Sequence, residues 1–201
     1  MFKYLKDTSS KARLSKNGKK KTEFPDIKSE RLRRRQFRPD DIGNGFAGLS
    51  DPDVIKYYGI SFDSLEATRL QMEWFAGLEK KGTGIWWAVC SPDNNIFFGA
   101  GGLNDLSKEH KKAEIGFWLL PRFWGQGIMG EAIPLICNYG FTTLALHRLE
   151  GYVDHENTNC KKALVKSDFI YEGTMRDCEI QNEKFISLDI YARLNEKQVG
   201  L

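Results

Sequence analysis

At 201 residues the chain has room for one ordinary domain with a short extension, which excludes a multidomain machine. Its composition, 41% apolar, 12% aromatic and 28% charged, supports a core of usual size and excludes wholesale disorder. The net charge of +3 points to a polyanionic partner when taken whole, but residues 1–24 carry eight basic against two acidic side chains, so residues 25–201 are at −3.

The chain therefore opens with a basic arm, residues 1–24, rich in Lys, Ser and Thr, and continues as one folded domain over residues 25–201. The arm offers a weak contact to nucleic acid or the ribosome. It has no apolar run, and no stretch of the chain approaches 18 consecutive apolar residues, so neither a signal peptide nor a membrane span is predicted and the expected location is cytoplasmic. Cys90, Cys137, Cys160 and Cys178 show no CxxC spacing and read as free thiols, three of them packing residues, with no metal site expected.

A short strand is expected near Arg31 to Phe37, then a helix opening at Pro39 and Asp40 and running toward Leu49, and a second short helix after Pro52. Asp63 and Glu66 have the capping-box spacing, and Leu70, Trp74 and Leu78 recur at helical spacing, which predicts an amphipathic helix over residues 64–80. Strands at 85–90, 95–103 and 112–120, separated by turns at 91–94 and 104–109, form an antiparallel meander. A helix over about 127–141 follows, then a strand at 148–153, a helix at about 159–167, and a closing hairpin of strands 169–178 and 184–193 turning at Gln181-Asn182-Glu183. This order predicts an α+β sheet with helices packed on its faces.

The segment Trp124-Gly125-Gln126-Gly127-Ile128-Met129-Gly130-Glu131-Ala132 lies between a strand and a helix. Glycines there let backbone N–H groups approach an anion, and the helix N-terminus adds its positive end, so a phosphate ligand is expected. Gly125, Gly127 and Gly130 also satisfy GxGxxG, with Glu150 20 residues beyond, which is the fingerprint of a nicotinamide- or flavin-dinucleotide site. Against it, Pro121 to Trp124 intervene after the strand, and only about 70 residues remain, too few for a doubly wound domain.

Ala113-Glu114-Ile115-Gly116-Phe117-Trp118-Leu119-Leu120-Pro121 followed by that loop resembles the central strand and pyrophosphate loop of the GNAT N-acetyltransferases, in particular the RimJ/RimL-like branch. Ser29 to Asp41, Ser50 to Val54, Leu146 to Glu150, Asn157 to Phe169, Tyr171 to Arg176 and Asp189 to Arg193 resemble further family segments in the family's order, over about residues 27–194. The resemblance implies a mixed, mostly antiparallel sheet with a splayed central strand and helices on both faces. It implies acetyl-CoA as cosubstrate, no metal, and an amine acceptor, with a protein N-terminal α-amine favoured over a polyamine or amino sugar. Phe117, Trp118 and Leu119 would line the pantetheine, and Trp124, Gly125, Gln126, Gly127, Ile128, Met129, Gly130 and Asn157 would complete the cofactor site. Met129 and Gly130 depart from the family's usual small residue followed by Thr or Ser, and Pro134 falls inside the predicted helix, where a kink or a shifted register is expected.

Acetyl transfer to an amine needs a neutral nucleophile, stabilisation of an oxyanion and a proton for the leaving thiolate. In the branch's pattern an Asn opens the helix, a Ser three residues on is the acid, and a Glu 19 residues further is the base; here these are Asn157, Cys160 and Glu179, with Cys standing for Ser. Glu114 on the central strand is the rival base. His110, His147 and His155 read as surface or packing residues, and residues 50–80 with the 181–184 turn are expected to flank the acceptor. A module that binds RNA or the ribosome through the basic arm is the other alternative, and monomer and homodimer both stay open.

Overall fold

The computed structural model describes residues 23–196, and nearly all of the basic arm lies outside them. The strands are β1 (Ile27–Lys28), β2 (Arg33–Arg35), β3 (Ile85–Cys90), β4 (Phe97–Ser107), β5 (Lys112–Leu119), β6 (Arg148–Asp154), β7 (Ile170–Gln181) and β8 (Lys184–Leu194). The helices are α1 (Ile42–Leu49), α2 (Pro52–Ile55), α3 (Leu65–Lys81), α4 (Ile128–Thr142) and α5 (Thr158–Val165). One sheet runs β1-β2-β3-β4-β5-β6-β8-β7, antiparallel at every step except β5 to β6.

Strand alternation divides the sheet's side chains between two cores. On one face Leu103, Ala113, Ile115, Leu149 and Val153 pack against Ile133, Ile136 and Leu164 of α4 and α5. On the other, Trp86, Ala88, Ala100 and Trp118 pack against Leu49, Val54, Phe75 and Leu78 of α1 to α3. α3 buries Thr68, Gln71, Phe75 and Leu78, one residue round from the predicted stripe, and Leu70 is exposed because Phe75, stacked on Trp86 at 4.8 Å, sets the helix's rotation. Its N-cap is Ser64, whose Oγ accepts from the Ala67 N–H at 3.2 Å, so the capping box expected from Asp63 and Glu66 does not form.

Two further expectations are corrected. The strand expected near 31–37 is β2, preceded by the two-residue β1, whereas the residues from 104 read as a turn continue β4 to Ser107, because Asn104 pairs in register with Glu114. Cys178 is exposed, whereas Cys90 and Cys137 are buried as expected. α4 spans Ile128–Thr142 with Pro134 in its second turn, where the ring deprives only the Gly130 carbonyl of its bond.

Candidate functional site

β5 and β6 pair only at Lys112–Arg148, Ala113–Leu149 and Glu114–Glu150, and beyond Glu114 the two strands part and leave a gap. The Leu120 N–H donates to the Phe98 carbonyl at 2.9 Å, which turns the N–H and C=O of Leu119 to the other edge of β5, toward the gap. The two-residue period turns those of Phe117 the same way. Trp124, 43% exposed, donates its indole N–H to the Leu119 carbonyl at 3.0 Å. Trp118 differs from its neighbours, since its side chain is buried on the α1 face, where a Cβ on Gly48 would stand 2.2 Å from its ring. Its backbone groups face β4, where it is paired with Ala100, so neither its side chain nor its backbone donors and acceptors face the gap, contrary to the expectation.

A 3-10 turn at Pro121–Phe123 leads from β5 to the glycine loop. Gly125 and Gly127 have φ of 74° and 77°, a left-handed conformation that a side chain makes unfavourable by about 1–2 kcal/mol, so the backbone itself requires glycine there. Gly127 is the N-cap of α4 and no side chain caps the helix, so its first-turn N–H groups are left for another acceptor. Gly125, Gln126, Gly127 and Gly130 are exposed along this cradle, while Ile128 and Met129 are buried and anchor the helix in the core. Arg31 reaches the loop by donating to the Gln126 carbonyl at 3.1 Å and approaches Glu131 at 3.9 Å; Ser29 Oγ donates to the same carboxylate at 2.6 Å. The arrangement presents unpaired backbone donors with an arginine beside them, the chemistry an anion requires.

Glu114 stands at the fork. It is 7% exposed, and no hydrogen bond reaches its Oε1 among the described residues. Burial pushes its carboxyl up to about 8, with the neighbouring carboxylates Asp105, Glu150 and Glu179 adding to the shift. Glu150, its partner across the strand pair, is drawn the other way. Burial alone would raise it, but bonds from Arg148 at 2.7 Å and Lys112 at 3.0 Å hold it below the usual carboxylate range. With Glu150 engaged by these two cations, the ribose contact of a dinucleotide fingerprint has no carboxylate to make it, and a sheet with a single parallel pair is no doubly wound domain. Tyr58, which follows α2, faces Glu114 closely enough that the carboxylate adds to the burial raising its phenol. Sequence reasoning did not single out Tyr58 or Asn104, because their relation to Glu114 exists only through register and packing.

Two of the other candidates, Asn157 and Cys160, meet at the N-terminus of α5, and Glu179 does not join them. Asn157 caps that helix, its Oδ1 accepting from the Cys160 N–H at 3.0 Å. The Cys160 thiol packs against the α4–α5 core, and burial pushes it up to about 12. Glu179 is half-buried on β7, opposite Ile186, and contributes to the field at Glu114 from across the gap. Cys160 and Glu114 thus lie on opposite faces of the sheet. Asp189 is buried beside α5 and accepts from Lys161 Nζ at 2.5 Å and Thr174 Oγ1 at 2.6 Å, with His155 Nδ1 at 2.9 Å. Burial would raise this carboxyl, but those bonds outweigh it and bring it down to about 2.

Beside the end of β6 lies a groove of about 460 Å³, walled by Lys56, Tyr57, Asp154, His155 and, from the hairpin, Gln181, Asn182 and Lys184 to Ser187. Gln181 Nε2 donates to the Lys56 carbonyl at 3.2 Å, tying the hairpin to the end of α2. The two regions expected to flank an acceptor are therefore brought together. Among the described residues no cluster of His, Cys, Asp and Glu could hold a metal, and no helix is long and apolar enough to cross a membrane.

Residues 31–170 match the family model described as acetyltransferase (GNAT) domain. The chain is 30% identical over 176 residues to an uncharacterized N-acetyltransferase of Bacillus subtilis (strain 168), YoaA, covering 87% of this chain and 99% of that protein. It is 26% identical over 135 residues to the ribosomal-protein-serine acetyltransferase of Escherichia coli (strain K12), covering 67% and 74% of the two. A GNAT-family acetyltransferase of Bacillus anthracis, solved by crystallography, superposes with a TM-score of 0.76 at 28% identity, over 85% of this chain and 98% of that one.

Proposed function

The chain belongs to the GNAT acetyltransferase family and is an acetyl-CoA-dependent N-acetyltransferase, and on that premise we propose that its acceptor is a protein N-terminal α-amine, which attacks directly in a ternary complex. The observation that carries this reading is Glu114, buried at the fork with its carboxyl raised to about 8. An α-ammonium has a pKa of about 7.7–8.0, so passing its proton to such a carboxylate is nearly free; from an amine near 10.4 the same transfer is uphill by about 3 kcal/mol. Glu114 is therefore matched to an N-terminus.

The cradle suits acetyl-CoA. Gly125 to Gly130 offer backbone donors to a pyrophosphate with Arg31 alongside, and Phe117 and Leu119 turn backbone groups toward the gap, where a pantetheine arm pairs as an added strand would. For the Leu119 carbonyl to take part, the Trp124 indole has to release it. When bound, acetyl-CoA supplies an acetyl group already activated as a thioester. Glu114 takes the proton that frees the amine's lone pair. As the amine bonds to the acetyl carbon and the C–S bond breaks, protonated Glu114 can pass that proton to the departing thiolate, whose thiol has a pKa near 8.5, at almost no cost, the second ammonium proton going to water; the Cys160 thiol, at about 12, would be a donor about 5 kcal/mol poorer. We accordingly assign the proton relay to Glu114, with Asn157 and Cys160 shaping the α5 side of the gap and Glu179 contributing negative charge.

A polyamine acceptor is the second reading, favoured by the carboxylates Asp105, Glu150 and Glu179 around Glu114, which suit a polycation. One experiment addresses both. Calorimetric titration with acetyl-CoA, CoA and NADH should show the first two binding and the third silent, and a panel of peptides and spermidine should give the higher kcat/KM to a free N-terminus. Silence from both CoA ligands would overturn the reading. Glu114→Gln should lower kcat by about 10²–10³-fold, while acetyl-CoA affinity holds, and should abolish the wild-type rise of rate through about pH 8.

A further inference from the structure

Directly opposite Glu114 in the β4–β5 register stands Asn104, 4% exposed and on the same face of the sheet. Facing residues of this kind have Cβ atoms about 5 Å apart. Among the described residues Asn104 Oδ1, like Glu114 Oε1, receives no hydrogen bond. Buried acceptors without donors are uncommon, and once Glu114 is ionised two of them side by side mark a place that lacks a donor. The row's own cations do not supply one, since Lys112 and Arg148 are engaged by Glu150. Next on this face of β5 is Gly116, where a Cβ would stand 3.6 Å from Asn104 Oδ1 and 2.7 Å from the Trp86 ring, so the indole edge lies beside the amide.

We infer that Asn104 and Glu114 together hold the acceptor as a primary ammonium ion, the Asn104 amide oxygen accepting one N–H and the Glu114 carboxylate another. This rests on the transferase reading and extends it by naming the residue that selects for N–H donors. The positive charge faces the Glu114 carboxylate. Transfer of one proton from nitrogen to Glu114 leaves a neutral amine still held by Asn104, with its lone pair free. A tertiary or quaternary amine of equal charge cannot satisfy both acceptors and is refused.

The test uses the full chain and two cations of equal charge, n-butylammonium and n-butyltrimethylammonium. On the wild-type protein the first should raise the melting temperature and compete with the amine substrate, and the second should do neither. Equal effects of the two, or none from either, overturn the inference. In turnover with a free-N-terminus tetrapeptide, Asn104→Ala should raise the peptide KM at least tenfold while kcat and the acetyl-CoA KM stay within twofold. Asn104→Asp, which keeps an acceptor oxygen, should bring the peptide KM back to within threefold of wild type. An unchanged peptide KM in Asn104→Ala overturns the assignment. If Asn104→Ala fails to fold, the cation pair decides on the wild-type protein alone. Selective response to n-butylammonium with no acetyl-CoA binding would uphold this site and sink the transferase reading; acetyl-CoA binding without the selectivity would do the reverse.

Discussion

Gly127 and Gly130 stand three residues apart in one loop and answer to different constraints. Gly127 holds φ at 77° as the cap of α4, so Gly127→Ala should destabilise the fold by about 1–2 kcal/mol and weaken acetyl-CoA binding, read by denaturant titration and calorimetry. Gly130 lies inside the helix with open space around its missing Cβ, and Gly130→Ala should stabilise by about 0.5–1 kcal/mol in the same denaturant assay. The departure from the family's usual Thr or Ser at this position is thus sterically free in either direction. Cys160 is the other residue on which family pattern and local chemistry pull apart. Its alignment with a Ser donor was legible in the sequence, whereas the burial that holds its thiol near 12 was not, and Cys160→Ala should leave kcat within about threefold. A loss comparable to that of Glu114→Gln would return the acid role to Cys160.

Two elements position the fork, and each has a weak point. α1 lies against β5 at Gly48, where an added Cβ would sit 2.2 Å from the Trp118 ring. Gly48→Ala should therefore cost about 1–3 kcal/mol and disturb the strand that carries Glu114, visible as a lower denaturation midpoint. β6 contributes Glu150, whose charge is offset by Lys112 and Arg148 and which raises Glu114. Removing one of those cations leaves Glu150 less compensated, so Lys112→Ala should move the rising limb of the pH–rate profile to higher pH. A shift to lower pH would show that Glu150 does not act on Glu114 as described.

Across the molecule, Asp189 links β8 to α5, to the loop after β6 and to β7 through Lys161, His155 and Thr174. Its carboxyl is lowered from 3.8 to about 2 in the folded protein, so the stability it contributes is present above about pH 4 and is lost as pH falls toward 2. The stability difference between wild type and Asp189→Asn should accordingly narrow over that interval in thermal melts. The order of the elements was legible in the sequence, since period-2 and period-3.6 patterns and turn residues are local signals, and so was the glycine loop, whose chemistry is backbone chemistry set by the glycines themselves. The rotation of α3 was not, because Leu70 and Phe75 are both apolar and only the stacking on Trp86 decides which is buried. Nor was the choice between Glu114 and Glu179, two carboxylates alike in sequence whose difference is the solvent each retains. The sequence by itself determined the α+β order, the glycine loop and the class of chemistry. The tertiary structure alone decided which carboxylate is buried at the fork and that Asn104 stands opposite it, because burial and register join residues that the chain keeps apart.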